Sequence, residues 1–134
     1  MTNYLRPEIS PNQIELSAQG LAHIGDAVFE LMVRTLLCTT GTSKARNLHN
    51  KAVTFVSAKA QASAAEKIFS VLSEEEISVY KRGKNTHTGS VPKGSTNEEY
   101  HAATGIEALF GFLYLKGDTD RLNELFQLII EENK

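Results

Sequence analysis

The stretch of sequence that decides the fold is LAHIGDAVFE, residues 21–30. It lies within a longer segment whose apolar residues recur in steps of three and four, which is the period of an α-helix. Ser17 can cap this helix and Gly41 can break it, so the helix is expected to run to about Thr39. The positions expected to face the core are Leu21, Ile24, Val28, Leu31, Met32 and Leu36.

Three more helices are predicted between the first helix and residue 83. A short one begins at Ser43, and a longer one runs through Ala52 to Leu72. Ser73 and Glu76 have the spacing of a capping box, in which each side chain accepts a hydrogen bond from the backbone N–H of the other residue. This capping box is expected to open a helix that ends near Gly83.

The last third of the chain predicts a long polar loop followed by two helices. The loop spans residues 84–96, and a loop of this length in a compact helical domain is functional or disordered. A second capping box, Thr96 with Glu99, opens a helix that continues through Leu115 and stops at Gly117. The final helix is amphipathic and carries Leu122, Leu125, Phe126, Ile129 and Ile130. Because no segment alternates polar and apolar residues like a strand, the sequence predicts one all-α domain over residues 1–134.

The composition indicates a soluble globular protein. The chain is 41% hydrophobic and 22% charged, which is an ordinary balance for such proteins. Its single cysteine, Cys38, cannot form an internal disulfide and is expected to be a buried thiol in a reducing compartment. The sequence has no apolar run of membrane-spanning length and no signal-peptide core at its start. We therefore expect a cytoplasmic protein without a membrane partner.

The charges are segregated although the net charge is only −2. Residues 31–65 contain five basic residues and no acid, and residues 81–97 contain four basic residues and no acid. Local fields of this kind attract nucleic acids even when the total charge is negative. Solvated helix faces are the alternative explanation of the same pattern.

Two acidic residues stand alone in apolar helical segments. Asp26 lies in the first helix among small residues, and Glu107 lies in the similar glycine-containing segment 104–111. Small neighbours such as Gly25 would let another helix approach closely. Two carboxylates on closely packed helices can hold Mg²⁺, which binds oxygen ligands and keeps several waters. The spacing alone leaves open that each acid caps a helix or pairs with a nearby basic residue.

Both acidic segments resemble the ribonuclease III family. Residues 25–28, Gly-Asp-Ala-Val, with the following Glu30, resemble its signature helix, and residues 107–111, with Tyr114 and Leu115, resemble its second catalytic helix. From about Ser17 to Glu131 the chain is similar to the Mini-ribonuclease III branch, which has only the nuclease domain and lacks the double-stranded-RNA-binding domain. The segments 81–85, 91–93 and 103–105 are also typical of that branch.

This resemblance implies a compact helical endonuclease domain that forms a two-fold homodimer. It implies Mg²⁺-dependent cleavage of double-stranded RNA that leaves 5′-phosphate and 3′-hydroxyl ends, with each subunit cutting one strand. It also implies a role in maturation of the large-subunit (23S) ribosomal RNA precursor. A ribosomal protein that presents the substrate is a further candidate partner.

The resemblance assigns the catalytic and metal-binding roles to Asp26 and Glu107. Asp26 matches the signature aspartate of the family, and Glu107 matches its final metal-binding glutamate. Two other acids of the larger ribonuclease III pattern are absent, because Ala22 and Thr104 stand in their places. Both departures are usual for the Mini-ribonuclease III branch. Water and RNA phosphate oxygens would therefore have to complete the coordination of the metal ion.

The candidate RNA-binding residues are basic or polar and lie in or beside the long loop. A-form RNA is bound mainly through its phosphates and 2′-hydroxyls, which suits flexible basic side chains. The chain ends soon after its last predicted helix, so we expect no appended RNA-binding domain and much of the affinity from this region. The candidates are Lys81, Arg82, Lys84, Asn85 and Lys93.

The neighbours of Asp26 are expected to have structural roles. Glu30 is expected to pair with Arg34, four residues later on the same helix. His23 is expected to pack or to lie at an interface, since metal-assisted hydrolysis of a phosphodiester needs no histidine base. Core packing, with some positions at the dimer interface, is expected for Phe29, Met32 and Val33.

Two non-enzymatic interpretations remain open at this point. One is a helical module that binds ribosome-precursor RNA without cutting it, which the absence of acids at Ala22 and Thr104 favours. The other is a helical scaffold whose acids are purely structural. The retained Asp26 and Glu107 oppose the first interpretation.

Overall fold

The computed structural model describes residues 1, 3–10, 17–41, 45–86 and 96–131. Over these residues the chain forms α-helices and one short 3-10 helix, with no strand, which confirms the predicted all-α class. None of the described helices is both long and apolar enough to cross a membrane. The helices are α1 (Ala18–Thr39), α2 (Ala45–Val56), α3 (Ala58–Ile68), the 3-10 helix (Phe69–Val71), α4 (Glu74–Lys84), α5 (Asn97–Lys116) and α6 (Thr119–Glu131).

Both predicted capping boxes are present. The Ser73 backbone N–H donates to Glu76 Oε1 at 2.8 Å, and the Glu76 N–H donates back to Ser73 Oγ at 3.1 Å. Thr96 and Glu99 make the same reciprocal pair at 3.0 Å in each direction. At the other end of α5, Gly117 has a φ of +79°, the left-handed conformation that ends many helices. Local sequence motifs therefore predicted three helix ends correctly.

The boundary between the second and third helices was predicted wrongly. The expected break before Ala52 does not exist, because α2 runs continuously from Ala45 to Val56. The break falls at Ser57, whose Oγ accepts a hydrogen bond from the Ala60 backbone N–H at 3.2 Å and so caps α3. The predicted start of the second helix at Ser43 lies outside the described residues.

Helix α5 is the centre of the domain and packs against α1, α3 and α4. Phe29 of α1 meets Phe110 of α5 edge-on, with ring centroids 5.2 Å apart, and meets Phe126 of α6 in the same way at 5.8 Å. The three aromatic rings thus join the first, central and last helices. The other large, fully buried side chains are Leu21, Val33, Ile68, Ile106, Leu109, Leu113 and Leu125.

The buried face of α1 differs from the predicted face. It carries Leu21, Ala22, Gly25, Phe29, Val33 and Leu37, which mostly follow steps of four. Leu31 was predicted to be buried and is 62% exposed, and the predicted buried thiol of Cys38 is also exposed. Cys38 follows the buried Leu37, so the helical turn directs it to solvent. The predicted Val28, Met32 and Leu36 lie at the edge of this face, partly buried against the core, so the prediction erred chiefly at Leu31 and Cys38.

An ion pair connects α6 to the start of α4. The Arg121 guanidinium donates to both carboxylate oxygens of Glu76 at 2.8 Å, and to the Val71 carbonyl oxygen at 2.7 Å. The hydrogen bonds from Arg121 hold the pKa of the buried Glu76 carboxyl below its ordinary value, against the opposing effect of burial. A bidentate pair of this kind fixes geometry as well as charge, so it sets how the last helix closes over the domain.

Candidate active site

The site is formed where α1 crosses α5, and two glycines make the crossing possible. A Cβ placed on Gly25 would lie 1.5 Å from the Glu107 carbonyl oxygen, and one on Gly111 would lie 2.0 Å from the Leu21 carbonyl oxygen. No side chain fits at either distance, so the two backbones touch directly. This contact places the residues that neighbour Gly25 beside those that neighbour Gly111.

The crossing brings Asp26 and Glu107 together. Asp26 follows Gly25 and is exposed, while Glu107 is half-buried beneath it on α5. Burial, and then the negative charge and side-chain contact of Asp26, raise the pKa of the Glu107 carboxyl to about 8. The two acids, 81 positions apart in the sequence, therefore lie close enough to interact, and they repel one another when both are ionised.

A divalent cation is a ligand that suits this pair of acids. It would neutralise the repulsion, and carboxylate oxygens are the ligands that Mg²⁺ prefers. Across the described residues, no group of three or more His, Cys, Asp or Glu side chains is arranged to hold a metal ion. The two positions that differ from the larger family pattern add no acid: Ala22 is buried, and the Thr104 hydroxyl donates to the Tyr100 carbonyl oxygen at 3.0 Å. The donor set therefore fits a cation that keeps most of its coordination for water and substrate oxygens.

Sequence reasoning missed Gln61, which lies beside this pair. Its side chain is buried on α3, and its amide acts on Glu107 in the direction of a hydrogen-bond donor, lowering the pKa of the carboxyl. No acceptor, however, satisfies Gln61 Nε2 within hydrogen-bonding geometry. The contact with Glu107 is therefore a close approach and not a formed hydrogen bond. A lone glutamine in an alanine-rich helix gave no sequence signal for this position.

The nearest charged neighbours of Asp26 on α1 take no part in the acid pair. Glu30 accepts a hydrogen bond from Arg34 at 2.7 Å, which confirms the predicted pairing of these two residues. His23 is exposed on the single chain, so it does not pack within the subunit, and its predicted position at an interface is untested.

Phe29 and Val33 are fully buried and Met32 is half-buried, as expected for core positions.

The candidate RNA-binding residues lie at the end of α4 rather than in a loop. Lys81, Arg82 and Lys84 occupy its last turn, and Asn85 is its C-cap. Lys93 lies outside the described residues, as do residues 87–95 as a whole. Basic side chains at a helix C-terminus also complement the helix dipole, which is a structural reason for their presence.

These residues face two different clefts. Lys81, Arg82 and Asn85 line a shallow cleft between α4 and the start of α1, whereas Lys84 lines another, together with Lys59 of α3. The turn that carries them is close to the acid pair, because Gly83 packs against α5 so tightly that a Cβ there would lie 2.6 Å from Ala108 Cβ. Positive charge therefore flanks the segment of α5 that carries Glu107.

The raised pKa of Glu107 predicts that the metal-free protein loses stability as the pH rises. Its carboxyl ionises near 4.5 in the unfolded chain and near 8 in the folded protein, so the folded state binds more protons between these values. The stabilising contribution is complete below pH 4.5 and is lost as the pH rises through 8. We expect a loss on the order of 5 kcal/mol across this window.

The measurement is thermal unfolding in EDTA at several pH values and constant ionic strength. The variant Glu107→Gln should show a smaller fall in Tm with pH than the wild type, because its amide does not titrate. The variant Glu131→Gln, at the exposed end of α6, is the matched control and should follow the wild type. Equal slopes for wild type and Glu107→Gln would contradict the close approach of the two acids.

Known proteins resemble this chain in fold and in sequence. The family profile for the ribonuclease III domain matches residues 19–118. A Mini-ribonuclease 3 from a Thermoanaerobacter species is 41% identical over 118 residues, which cover 88% of this chain and 83% of that protein. Another, from Symbiobacterium thermophilum, is 40% identical over 116 residues, which cover 87% of this chain and 89% of that protein. A crystal structure of a Fusobacterium nucleatum protein superposes with a TM-score of 0.83 at 30% identity, covering 93% of this chain and 100% of that one.

The described helices and the matched region define a ribonuclease III domain, and the match includes both Asp26 and Glu107. The chain belongs to the ribonuclease III family, in its Mini-ribonuclease III branch. The family resemblance inferred from the two acidic segments is thus confirmed. The geometry of the crossing between α1 and α5 bears on the roles of the individual residues.

Proposed function

We propose that this protein is an endoribonuclease that hydrolyses double-stranded RNA with Mg²⁺ bound by Asp26 and Glu107. The observation that carries the proposal is the approach of these two carboxyl groups at the crossing of α1 and α5, in a chain of the ribonuclease III family. A pair of acids that raises the pKa of one member is a costly arrangement without a cation. Perturbed carboxyl groups of this kind are concentrated at functional sites.

The two acids and the RNA would each contribute to the hydrolysis. When bound, Mg²⁺ supplies Lewis-acid activation of a water for in-line attack on phosphorus and stabilises negative charge on the departing 3′-oxygen. The exposed Asp26 carboxylate and the half-buried Glu107 carboxyl would hold the cation, and Glu107 would release its proton to water when the cation binds. Hydrolysis breaks the bond between phosphorus and the 3′-oxygen, so the products carry a 5′-phosphate and a 3′-hydroxyl.

The basic turn of α4 is proposed to bind the RNA backbone. The side chains of Lys81 and Arg82 are exposed, Lys84 is half-exposed, and the turn adjoins the Glu107 segment of α5. Asn85 lines the same cleft as Lys81 and Arg82, and Lys93 stays an RNA-binding candidate on its sequence alone. Binding through phosphates is governed by the release of counterions, so it must depend on salt.

Neutralising Lys81, Arg82 and Lys84 together should weaken binding to double-stranded RNA and flatten its salt dependence. Each lost phosphate contact should reduce the slope of log K against log salt by roughly 0.9. The measurement is the affinity for one duplex at several salt concentrations, made with Ca²⁺ in place of Mg²⁺ to prevent cleavage. Lys116→Ala is the control, since that ammonium already pairs with Glu75 at 3.0 Å. A triple variant with the wild-type slope would remove this turn from the RNA-binding surface.

A homodimer is proposed as the active form. Leu31 of α1 and Val53 of α2 are large apolar side chains that are 62% and 46% exposed on the single chain, which supports an interface on this side of the domain. Two copies related by a two-fold axis would place one acid pair at each strand of a duplex, and each subunit would cut one strand.

The proposed substrate is the large-subunit (23S) ribosomal RNA precursor, and the proposed location is the cytoplasm. The resemblance to Mini-ribonuclease III supports both, and it also supports a ribosomal protein that presents the RNA. Such help would suit a chain whose candidate RNA-binding residues face two different clefts, both of which also contain glutamate.

The alternative is an RNA-binding module of the same fold that does not cut, and it is favoured by Ala22 and Thr104. Incubation of the purified protein with double-stranded RNA, with Mg²⁺ and separately with EDTA, distinguishes the possibilities. Cleavage with Mg²⁺ alone supports the nuclease. Binding without cleavage supports the non-catalytic module, and absence of both supports a structural scaffold.

A further inference from the structure

One buried polar group in the described part of the chain lacks a hydrogen-bond partner, and it is Nε2 of Gln61. The side chain is only 2% exposed, so it is withdrawn from bulk solvent. A buried amide without a partner destabilises a folded protein, and an apolar side chain of similar shape would remove that cost. Its presence therefore requires an explanation.

The position of Gln61 supplies one. Gln61 shares the buried face of α3 with Ala64, Ala65 and Ile68, and this face packs against α5. The side chain lies beside the Glu107 carboxyl group without forming a hydrogen bond to it. The unpartnered donor is thus buried next to one member of the acid pair.

The chemistry of the group restricts its role. The amide nitrogen carries two N–H donors and cannot bind a cation, but it can donate to a carboxylate oxygen. A site with only two carboxylates depends on the exact orientation of each, and a hydrogen bond from behind is the usual means of orienting a metal-binding side chain. Glutamine, unlike lysine or arginine, does this without adding a positive charge that would repel the cation.

We propose that Gln61 is a positioning residue whose Nε2 donates a hydrogen bond to one oxygen of Glu107 and leaves the other oxygen for the divalent cation. This inference rests on the proposed metal-binding role of Glu107. A small movement of the Glu107 side chain when the cation binds would convert the present close approach into a formed hydrogen bond. The bond would be charge-assisted, and such bonds are shorter and stronger than neutral ones.

The test is the variant Gln61→Met, which keeps the length of the side chain and removes the donor. The Mg²⁺ concentration that gives half-maximal cleavage should rise by roughly ten- to a hundredfold, the usual effect of losing a residue that orients a metal ligand. The Mg²⁺ concentration that gives half of the increase in Tm, measured without RNA, should rise in parallel. In EDTA the variant should have a Tm equal to or above that of the wild type, because it buries no unpartnered amide.

Gln127→Met is the matched control, since Gln127 is exposed on α6 and its amide bonds to Glu131. It should leave both Mg²⁺ midpoints unchanged. A Gln61→Met variant with wild-type midpoints would overturn the positioning role while wild-type cleavage still supported the nuclease. Absence of wild-type cleavage in Mg²⁺ would instead defeat the proposed function itself, and the inference with it.

A second measurement needs no folded variant. Added Mg²⁺ should shift the side-chain NH₂ resonances of Gln61 in the wild-type protein, with the midpoint seen in the Tm titration, because Nε2 gains an acceptor. Resonances of Gln61 that stay unchanged at saturating Mg²⁺ would overturn the proposal.

Discussion

Replacing Asp26 by Asn should abolish cleavage while the protein folds and binds RNA. Asn keeps the shape of the side chain but loses the charge that holds a hard cation, so the remaining Glu107 cannot retain Mg²⁺. Loss of a residue that merely orients a metal ligand costs 10–100-fold, and loss of a ligand itself should cost more than about a hundredfold in cleavage rate. The measurement is the single-turnover rate of cleavage of a short RNA duplex at saturating protein and Mg²⁺.

The stability of the Asp26→Asn variant separates a metal-site effect from misfolding. Removing the negative charge relieves the repulsion that raises the pKa of Glu107, so the metal-free variant should be at least as stable as the wild type. Asp120→Asn, at an exposed position in the first turn of α6, is the matched control and should cut at the wild-type rate. Turnover retained by Asp26→Asn in Mg²⁺ would reject Asp26 as a metal ligand.

Replacing Gly25 by Ala should destabilise the protein by about 3 kcal/mol or more, at the upper end of what overpacking costs. The added Cβ would lie 1.5 Å from the Glu107 carbonyl oxygen and 2.7 Å from the Gly111 backbone nitrogen. Neither atom can yield as the end of a flexible side chain would, so α1 and α5 must move apart. The sign of the change in unfolding free energy is informative, because a Gly→Ala change inside a helix otherwise stabilises the protein by about 0.5–1 kcal/mol.

Chemical denaturation of Gly25→Ala and of the control Thr35→Ala, an exposed position on the same helix, measures this effect. The control should differ from the wild type by less than about 0.5 kcal/mol. Any folded fraction of Gly25→Ala should also need more Mg²⁺ for cleavage, since separating the helices separates Asp26 from Glu107. A Gly25→Ala protein as stable as the wild type would contradict the direct backbone contact.

The features that the sequence predicted correctly depend on local chemistry or on a short motif. The capping boxes at Ser73 and Thr96 need only residues three positions apart, and the pairing of Glu30 with Arg34 needs residues four apart on one helix. The juxtaposition of Asp26 with the acid on α5 was predicted from the resemblance of their two segments to ribonuclease III, since the glycine and small residues there left other roles open. Those residues are the ones that let the helices touch.

The features that were missed or wrong depend on which helix packs against which. Leu31 and Leu37 are equally apolar, and only the position of α5 decides that Leu37 is buried. Ser57 caps a helix although no glycine or proline lies near it in the sequence, so the break was not expected there. Gln61 could not be identified from the sequence, because its distinguishing property, a buried Nε2 without a hydrogen-bond partner, arises only in the folded chain.

The most direct test of the account is a crystal structure with Mn²⁺, which substitutes for Mg²⁺ at oxygen sites and can be located by anomalous scattering. We expect an ion between the side chains of Asp26 and Glu107, within about 2.2 Å of an oxygen of each or joined to one of them through a single water. An ion bound elsewhere, or no ion between these carboxylates at Mn²⁺ concentrations that support cleavage, would contradict the assignment.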